Sequence, residues 1–282
     1  MSILPTLARW ARRTYQRSRC GFSVEYSRLA AWRPPLQDGW QGPGAARRFQ
    51  AGLEGAYYLE GVNLASFDHS LIARDQLEIL ARVGMHEAAL LDLGCGNGVY
   101  RNILAAYPAT SHWSYAGADV NEALVAACRR WHSGVRFETV TDGGRLPFLD
   151  GEFDVILASG VLQYAEDPSA TMAELHRVTH GWVLVSRVPV RKHADSGIYL
   201  QRVWHRWGRE EHPTHVFNRG KLEAMFTGAG FEIAWRDHGV ECFPLPGEEE
   251  PAIHVLYLLR WNVLHEVAGG TAASIKLGRR AR

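Results

Sequence analysis

The chain has 282 residues, with 31 Lys and Arg against 30 Asp and Glu, for a formal charge of +1. That length can bury a real core in one large domain or in a domain with an appendage. The balanced charge gives no electrostatic reason to expect a nucleic-acid or acidic partner. Four cysteines (Cys20, Cys95, Cys128, Cys242) stand far apart, with no CxxC pair and no His at metal-ligand spacing. They read as reduced thiols in a cytoplasmic compartment, with no disulfide and no metal site. No apolar run approaches the roughly 18–20 residues of a membrane helix.

Residues 1–88 form an expected N-terminal cap, helical in part and irregular in part. The start carries Arg9, Arg12, Arg13, Arg17 and Arg19 with no acidic residue before Glu25. Such a segment suits organellar targeting or weak contact with a membrane surface, and equally a solvated basic helix packed on the domain. "AWRPPLQDGWQGPG" is a Pro/Gly-rich break, and Tyr57 and Tyr58 form either an aromatic lid or part of the core. "HSLIARDQLEILARVG" then predicts a helix with Leu71, Leu77, Ile79 and Leu80 on one face.

From Ala89 the rhythm becomes strand, helix, strand. Strands are predicted at 89–94, 112–119, 135–140, 153–159 and 181–190, with helices at 98–107, 121–131 and 168–179, the last opened by Pro168. That alternation implies a mostly parallel sheet covered on both faces. The stretch 191–217 reads as an irregular, aromatic, His-rich insert. A helix at 218–228 and strands at 231–239 and 252–261 follow, the strands joined without a helix and so antiparallel. The tail, 266–282, reads as a frayed basic end.

"LLDLGCGNGVY" (90–100) raises the question of which nucleotide its turn would hold. The glycines are Gly94, Gly96 and Gly98, while the third glycine position of a dinucleotide fingerprint holds Val99. Asp92 ends the strand just before the turn. A carboxylate there would repel a pyrophosphate but suits a ligand with an ammonium group. S-adenosylmethionine is such a ligand, a sulfonium with an amino-acid tail and no phosphate. Asp119 ends the second strand, where a carboxylate can take ribose hydroxyls, and Asp142 with Gly143 follows the third, beside where adenine would lie. A nicotinamide oxidoreductase is disfavoured by Asp92 and Val99.

"LLDLGCGNG", "GADVNEALVAACR", "LPFLDGEFDVILASGVLQY" and "AELHRVTHGWVLVSRVP" resemble the successive motifs of class I S-adenosylmethionine-dependent methyltransferases. The resemblance covers 89–190 by motif and 218–261 by element order. It implies an α/β, Rossmann-like doubly wound sheet of seven strands in the order 3-2-1-4-5-7-6, the last strand antiparallel, within a domain spanning 89–265. It also implies methyl transfer to a small-molecule acceptor. Carried over by position, Asp92, Gly94, Cys95 and Gly96 would hold the methionine end, Asp119 and Val120 the ribose, Asp142 and Gly143 the adenine. Ser159 to Gln163 would line the sulfonium side. Gln163 and Tyr164 stand where many small-molecule members carry His, and "THGW" replaces their Pro-Gly-Gly turn. "SGVLQYAEDP", "VSRVPV" and "PTHVFNR" are loosely similar to methyltransferases associated with bacterial surface-polysaccharide genes, which points to a sugar or natural-product hydroxyl or amine and leaves open whether oxygen, nitrogen or carbon is methylated.

Loops beyond the carboxyl ends of parallel strands are where open α/β sheets bind ligands, so the 191–217 insert is expected to face the acceptor. His205, His212 and His215 within it, and Tyr164 after the fourth strand, are the candidate bases, with His215 preferred. Cys95 has no cationic neighbour in sequence and reads as a space-filler. A macromolecular acceptor such as transfer RNA or protein rests on the five early Arg alone, without the clustered basic stripe of a nucleic-acid binder. A non-catalytic adenosyl-binding module stays open, as does the oligomeric state.

Overall fold

Strand β2 (Ala89–Leu93) divides its residues between two cores, as a strand buried on both faces must. Leu90 packs beneath helices on one side, with Val155, Leu157 and Leu184, and Leu91 and Leu93 join Ile156, Ala158, Val183 and Val185 on the other. The computed structural model describes residues 22–33, 71–205 and 208–262. Among them β1 (Phe22–Leu29), β2, β3 (Ser114–Asp119), β4 (Arg136–Thr139), β5 (Phe153–Ser159), β6 (Thr179–Arg191), β7 (Gly197–His205), β8 (Gly208–Asn218), β9 (Phe231–Phe243) and β10 (Ala252–Trp261) form a single sheet.

The helices are α1 (Leu71–Ala81), α2 (Val99–Ala106), α3 (Glu122–Trp131), α4 (Pro168–Val178) and α5 (Arg219–Gly228). Local chemistry sets several of their ends. Asn121 accepts from the Leu124 N–H, Asp167 from those of Ser169 and Ala170, and Asn218 from that of Lys221. Pro168 takes the first turn of α4, where its missing N–H costs nothing. Leu77, Ile79 and Leu80 of α1 and Ile103 and Leu104 of α2 fill one core, while Met172, Leu175, Leu222 and Phe226 of α4 and α5 fill the other. None of the described helices is long and apolar enough to cross a membrane.

Seven of the strands run β4-β3-β2-β5-β6-β10-β9, with β10 antiparallel to both its neighbours. This is the order expected from the sequence. The remaining three are a departure from it. The stretch 191–217, read as irregular, is a long antiparallel hairpin, β7 with β8, and β8 joins β6 in parallel through Phe217 and Asn218. The alternation was hidden because Glu210, His212 and Thr214 fill buried positions of β8 that an apolar residue would ordinarily mark. The segment read as a helical or irregular cap also contains a strand: β1 pairs along its whole length with β7, from Phe22 opposite His205 to Leu29 opposite Ile198. The basic start, Tyr57, Tyr58 and the tail lie outside the described residues.

Candidate functional site

The β2–α2 turn is built from glycines because its backbone demands them. Gly94, Gly96 and Gly98 have φ of 73°, 55° and 72°, a region that L side chains avoid. At Gly94 space is also decisive, since a Cβ there would lie 2.5 Å from Val161 Cγ2. The turn therefore touches the loop that follows β5. The amides of Gly94 and Cys95 both donate to the Ala118 carbonyl, and that of Gly98 to Cys95. Those of Gly96 and Val99 donate to Asp119 and Asn97. All five of these N–H groups are thus already used within the protein.

Two carboxylates meet behind this turn. Asp119, at the end of β3, accepts the Gly96 N–H through Oδ2 and the Asn121 N–H through Oδ1, each at 2.8 Å. Asp92 is buried on the face it shares with Leu90, and Tyr115 donates to its Oδ2 over 2.7 Å. It lies beneath the turn, almost wholly buried. Burial pushes the Asp92 carboxyl up to about 7, against the Tyr115 hydrogen bond and helped by the Asp119 charge. Asp119 is also raised by burial, its backbone hydrogen bonds opposing. No cationic side chain among the described residues offsets either one. This donor set fits a ligand that brings positive charge and would repel a pyrophosphate.

Cys95 lies in the turn with its thiol against Cys128 and pushed well up, the hydrogen bond to Cys128 and burial both favouring the protonated form. That leaves it a space-filler, not a nucleophile. Val120 is half-buried against the core beside Asp119. At the rim, Asp142 accepts the Glu166 N–H at 3.2 Å, tying the loop after β4 to the loop after β5. Gly143 has φ 65° and open space where a Cβ would stand.

Ser159 and Ser186 are register partners on β5 and β6, on the α1 face. Gln76 of α1, fully buried, donates to both, at 2.8 Å and 2.6 Å, and Tyr100, in the first turn of α2, donates to the Gln76 carbonyl. Sequence reasoning missed Gln76, although a polar residue inside an apolar helical stripe was its signal. Gln163 is buried on the single 3-10 turn Leu162–Tyr164. The Tyr164 hydroxyl donates to Gln201 at 2.9 Å, and Gln201 to the Tyr26 hydroxyl at 2.7 Å.

The candidate bases do not converge. His212 is buried, its Nε2 is 3.1 Å from Glu210 Oε2, and Tyr164 packs edge-on against its ring. Three residues along the same strand, His215 points to the opposite face. There its ring is stacked on both Trp32 and Phe217, and burial holds it below the usual imidazole range. The same ring also hydrogen-bonds the backbone of Ala165 and Glu166, in the loop that follows β5. The His205 side chain lies outside the described residues.

A methyltransferase-domain family model matches residues 91–184. Over 113 residues the chain is 29% identical to a ubiquinone biosynthesis O-methyltransferase of Pseudomonas paraeruginosa, covering 38% of this chain and 47% of that protein. Over 122 residues it is 30% identical to a malonyl-[acyl-carrier protein] O-methyltransferase of Erwinia billingiae, covering 41% and 43%. The match thus spans about half the length of these curated relatives. In fold, the chain is similar to an S-adenosylmethionine-dependent methyltransferase from Methanosarcina mazei, with a TM-score of 0.50 at 18% identity over 65% of this chain and 97% of that one. Another, from Clostridium acetobutylicum, gives 0.51 at 11% over 77% and 98%. The glycine turn and the carboxylate pair both lie within or beside that match: residues 91–184 form a methyltransferase domain, in a chain whose fold is that of S-adenosylmethionine-dependent methyltransferases.

Proposed function

We propose that the protein transfers a methyl group from S-adenosylmethionine to a hydroxyl of a small-molecule acceptor. The observation that carries this reading is the buried pair Asp92 and Asp119 behind the glycine turn, raised in pKa and without a protein cation. The choice of oxygen is supported by the two relatives above, both O-methyltransferases over the matched region.

Bound, the cofactor supplies an activated methyl group. The chain's own residues do the rest. The glycine turn admits the ligand's methionine end close to the backbone, and Asp92 and Asp119 set a negative field there. Each Asp119 oxygen accepts one backbone N–H and keeps a lone pair for a ribose hydroxyl. Asp142 and Gly143 border the adenine side. Gln76 fixes Ser159 and Ser186, so the strand ends beneath the reacting atoms are held rigidly. In-line transfer gains most from such positioning. His212, oriented by Glu210 and adjacent to Tyr164 on the acceptor-side turn, is the base for a weakly acidic hydroxyl.

Calorimetry tests the cofactor half: S-adenosylmethionine and S-adenosylhomocysteine bind, and NAD and NADP do not. Binding of a dinucleotide in their place would end this reading. Release of S-adenosylhomocysteine, followed by mass spectrometry across hydroxylated aromatic and sugar acceptors, tests the transfer half.

A further inference from the structure

Arg187 is the only non-glycine residue among the described ones with positive φ, at 59°. It is the extra residue of a bulge in β6: Ser186 pairs with Leu256 and Val188 with Val255, leaving Arg187 between them. A bulge of this kind re-aims one side chain, and a left-handed backbone at a long side chain is strained unless something over-determines it. Here the bulge falls where β5 ends. Ser159 opposite Ser186 closes the β5–β6 ladder, and the Gly160 N–H then donates to the Ser186 carbonyl at 2.9 Å. Arg187 is consequently turned over the first residue of the loop that follows β5.

The space above Gly160 is defined from two sides. A Cβ at Gly160 would stand 3.6 Å from Arg187 Nη1 and 3.7 Å from Gln163 Nε2. Arg187 is exposed and makes no ion pair or hydrogen bond with any described residue. Gln163 is only 4% exposed, yet its Oε1 has no hydrogen-bond partner among the described residues. A buried amide oxygen left without a donor is costly, and its natural complement is a ligand. The next residue, Val161, is the one that touches Gly94 of the glycine turn. An unpaired guanidinium and an unsatisfied buried amide thus flank one open point beside the cofactor turn.

Resting on the methyl-transfer reading above, we propose that Arg187 and Gln163 form the acceptor's anion subsite, and that the acceptor carries a carboxylate. A planar guanidinium fork matches a carboxylate, and the Gln163 amide adds a donor to the anion and an acceptor for a neighbouring hydroxyl. One guanidinium balances one negative charge. A phosphate dianion would need a second cation, and the uncompensated Asp92 and Asp119 nearby would oppose it.

The test uses protein saturated with S-adenosylhomocysteine and titrated with benzoate, benzamide and inorganic phosphate. Benzoate is expected to bind about tenfold or more tightly than benzamide, the scale of one charge-assisted pair. Arg187→Gln and Gln163→Leu should each remove most of that preference, with S-adenosylhomocysteine affinity unchanged in Arg187→Gln. Arg187→Gly separates binding from folding, because glycine accepts this φ without strain. It should melt no lower than the parent and still lose the benzoate preference. Equal binding of benzoate and benzamide to the parent, or full benzoate binding by Arg187→Gly, overturns the proposal. So does tighter binding of phosphate, or an Arg187→Gln that loses S-adenosylhomocysteine, which would assign the guanidinium to the cofactor. Failure of the parent to bind S-adenosylhomocysteine at all is a different result, and ends the methyl-transfer reading instead.

Discussion

Gln76 and Ser186 lie 110 residues apart in sequence and meet at 2.6 Å, side chain to side chain, in the buried floor of the site. The same Gln76 amide also reaches Ser159 and accepts from Tyr100, so one residue of α1 joins the ends of β5 and β6 to the first turn of α2. Gln76→Leu keeps the volume but strands three hydroxyls. It should lower stability by about 2–4 kcal/mol in denaturant melts, the scale for several buried groups left unsatisfied. Cofactor affinity should fall as well, because Tyr100 directly follows the glycine turn. An unchanged melt would show that the hydroxyls repair their bonds with one another.

Asp92 gives a pH dependence whose sign is fixed. Its folded pKa, about 7, lies above the ordinary carboxylate value of 3.8, so the folded state holds the proton longer than the unfolded chain. Between about pH 4 and pH 7 the ligand-free protein should therefore lose stability as pH rises, with no further loss from this group above pH 7. Asp92→Asn removes the dependence and should stabilise the ligand-free protein at pH 8, by an amount on the order of a few kcal/mol. A cationic ligand prefers the ionised form, so affinity for S-adenosylmethionine should rise from pH 6 to pH 8 in the parent and stay flat in Asp92→Asn. Calorimetry at the two pH values checks it.

Asp119 holds two backbone N–H groups, and the expected ribose contact would be added to those. Asp119→Ala should weaken S-adenosylhomocysteine binding by about 1.5–3 kcal/mol, and lower the melting midpoint through the orphaned amides of Gly96 and Asn121. Asp119→Asn keeps an acceptor and should recover part of the stability. If both variants bind as tightly as the parent, Asp119 only closes the turn.

How much of this was legible beforehand follows from which signal each residue leaves in the sequence. The β2–β6 alternation and the glycine turn were readable because apolar runs and φ-demanding glycines are local features. The Arg187 bulge was not, since nothing in "VSRVPV" distinguishes a bulged strand from a regular one. Asp92 was readable at its strand end but its depth was not, as its facing Leu90's side and its bond to Tyr115 are tertiary facts. The β7–β8 hairpin was missed because its buried face is polar: Glu210, His212 and Thr214 satisfy one another or their neighbours rather than forming an apolar stripe.

The two histidines of β8 should separate cleanly. His212→Ala and Glu210→Gln should each lower turnover, by about a hundredfold for His212→Ala if it is the base. Affinity for S-adenosylhomocysteine should stay within about 0.5 kcal/mol. His215→Phe substitutes one ring for another between Trp32 and Phe217 and should leave turnover intact, at a stability cost under about 1.5 kcal/mol. A collapse of turnover in His215→Phe would move the base to the other face of the strand.

Because β1 hydrogen-bonds to β7 along its full length, the methyltransferase-like region is not a detachable module. A fragment begun at Ala89, where the family resemblance starts, would lack β1 and carry β7 as the edge of the sheet instead. Tyr26, stacked on Phe243 and bonded to Gln201, would be lost with it, and with Tyr26 the brace behind Tyr164. On the proposed reading, a residue more than sixty positions upstream of the cofactor motifs thereby braces the wall that would face the acceptor.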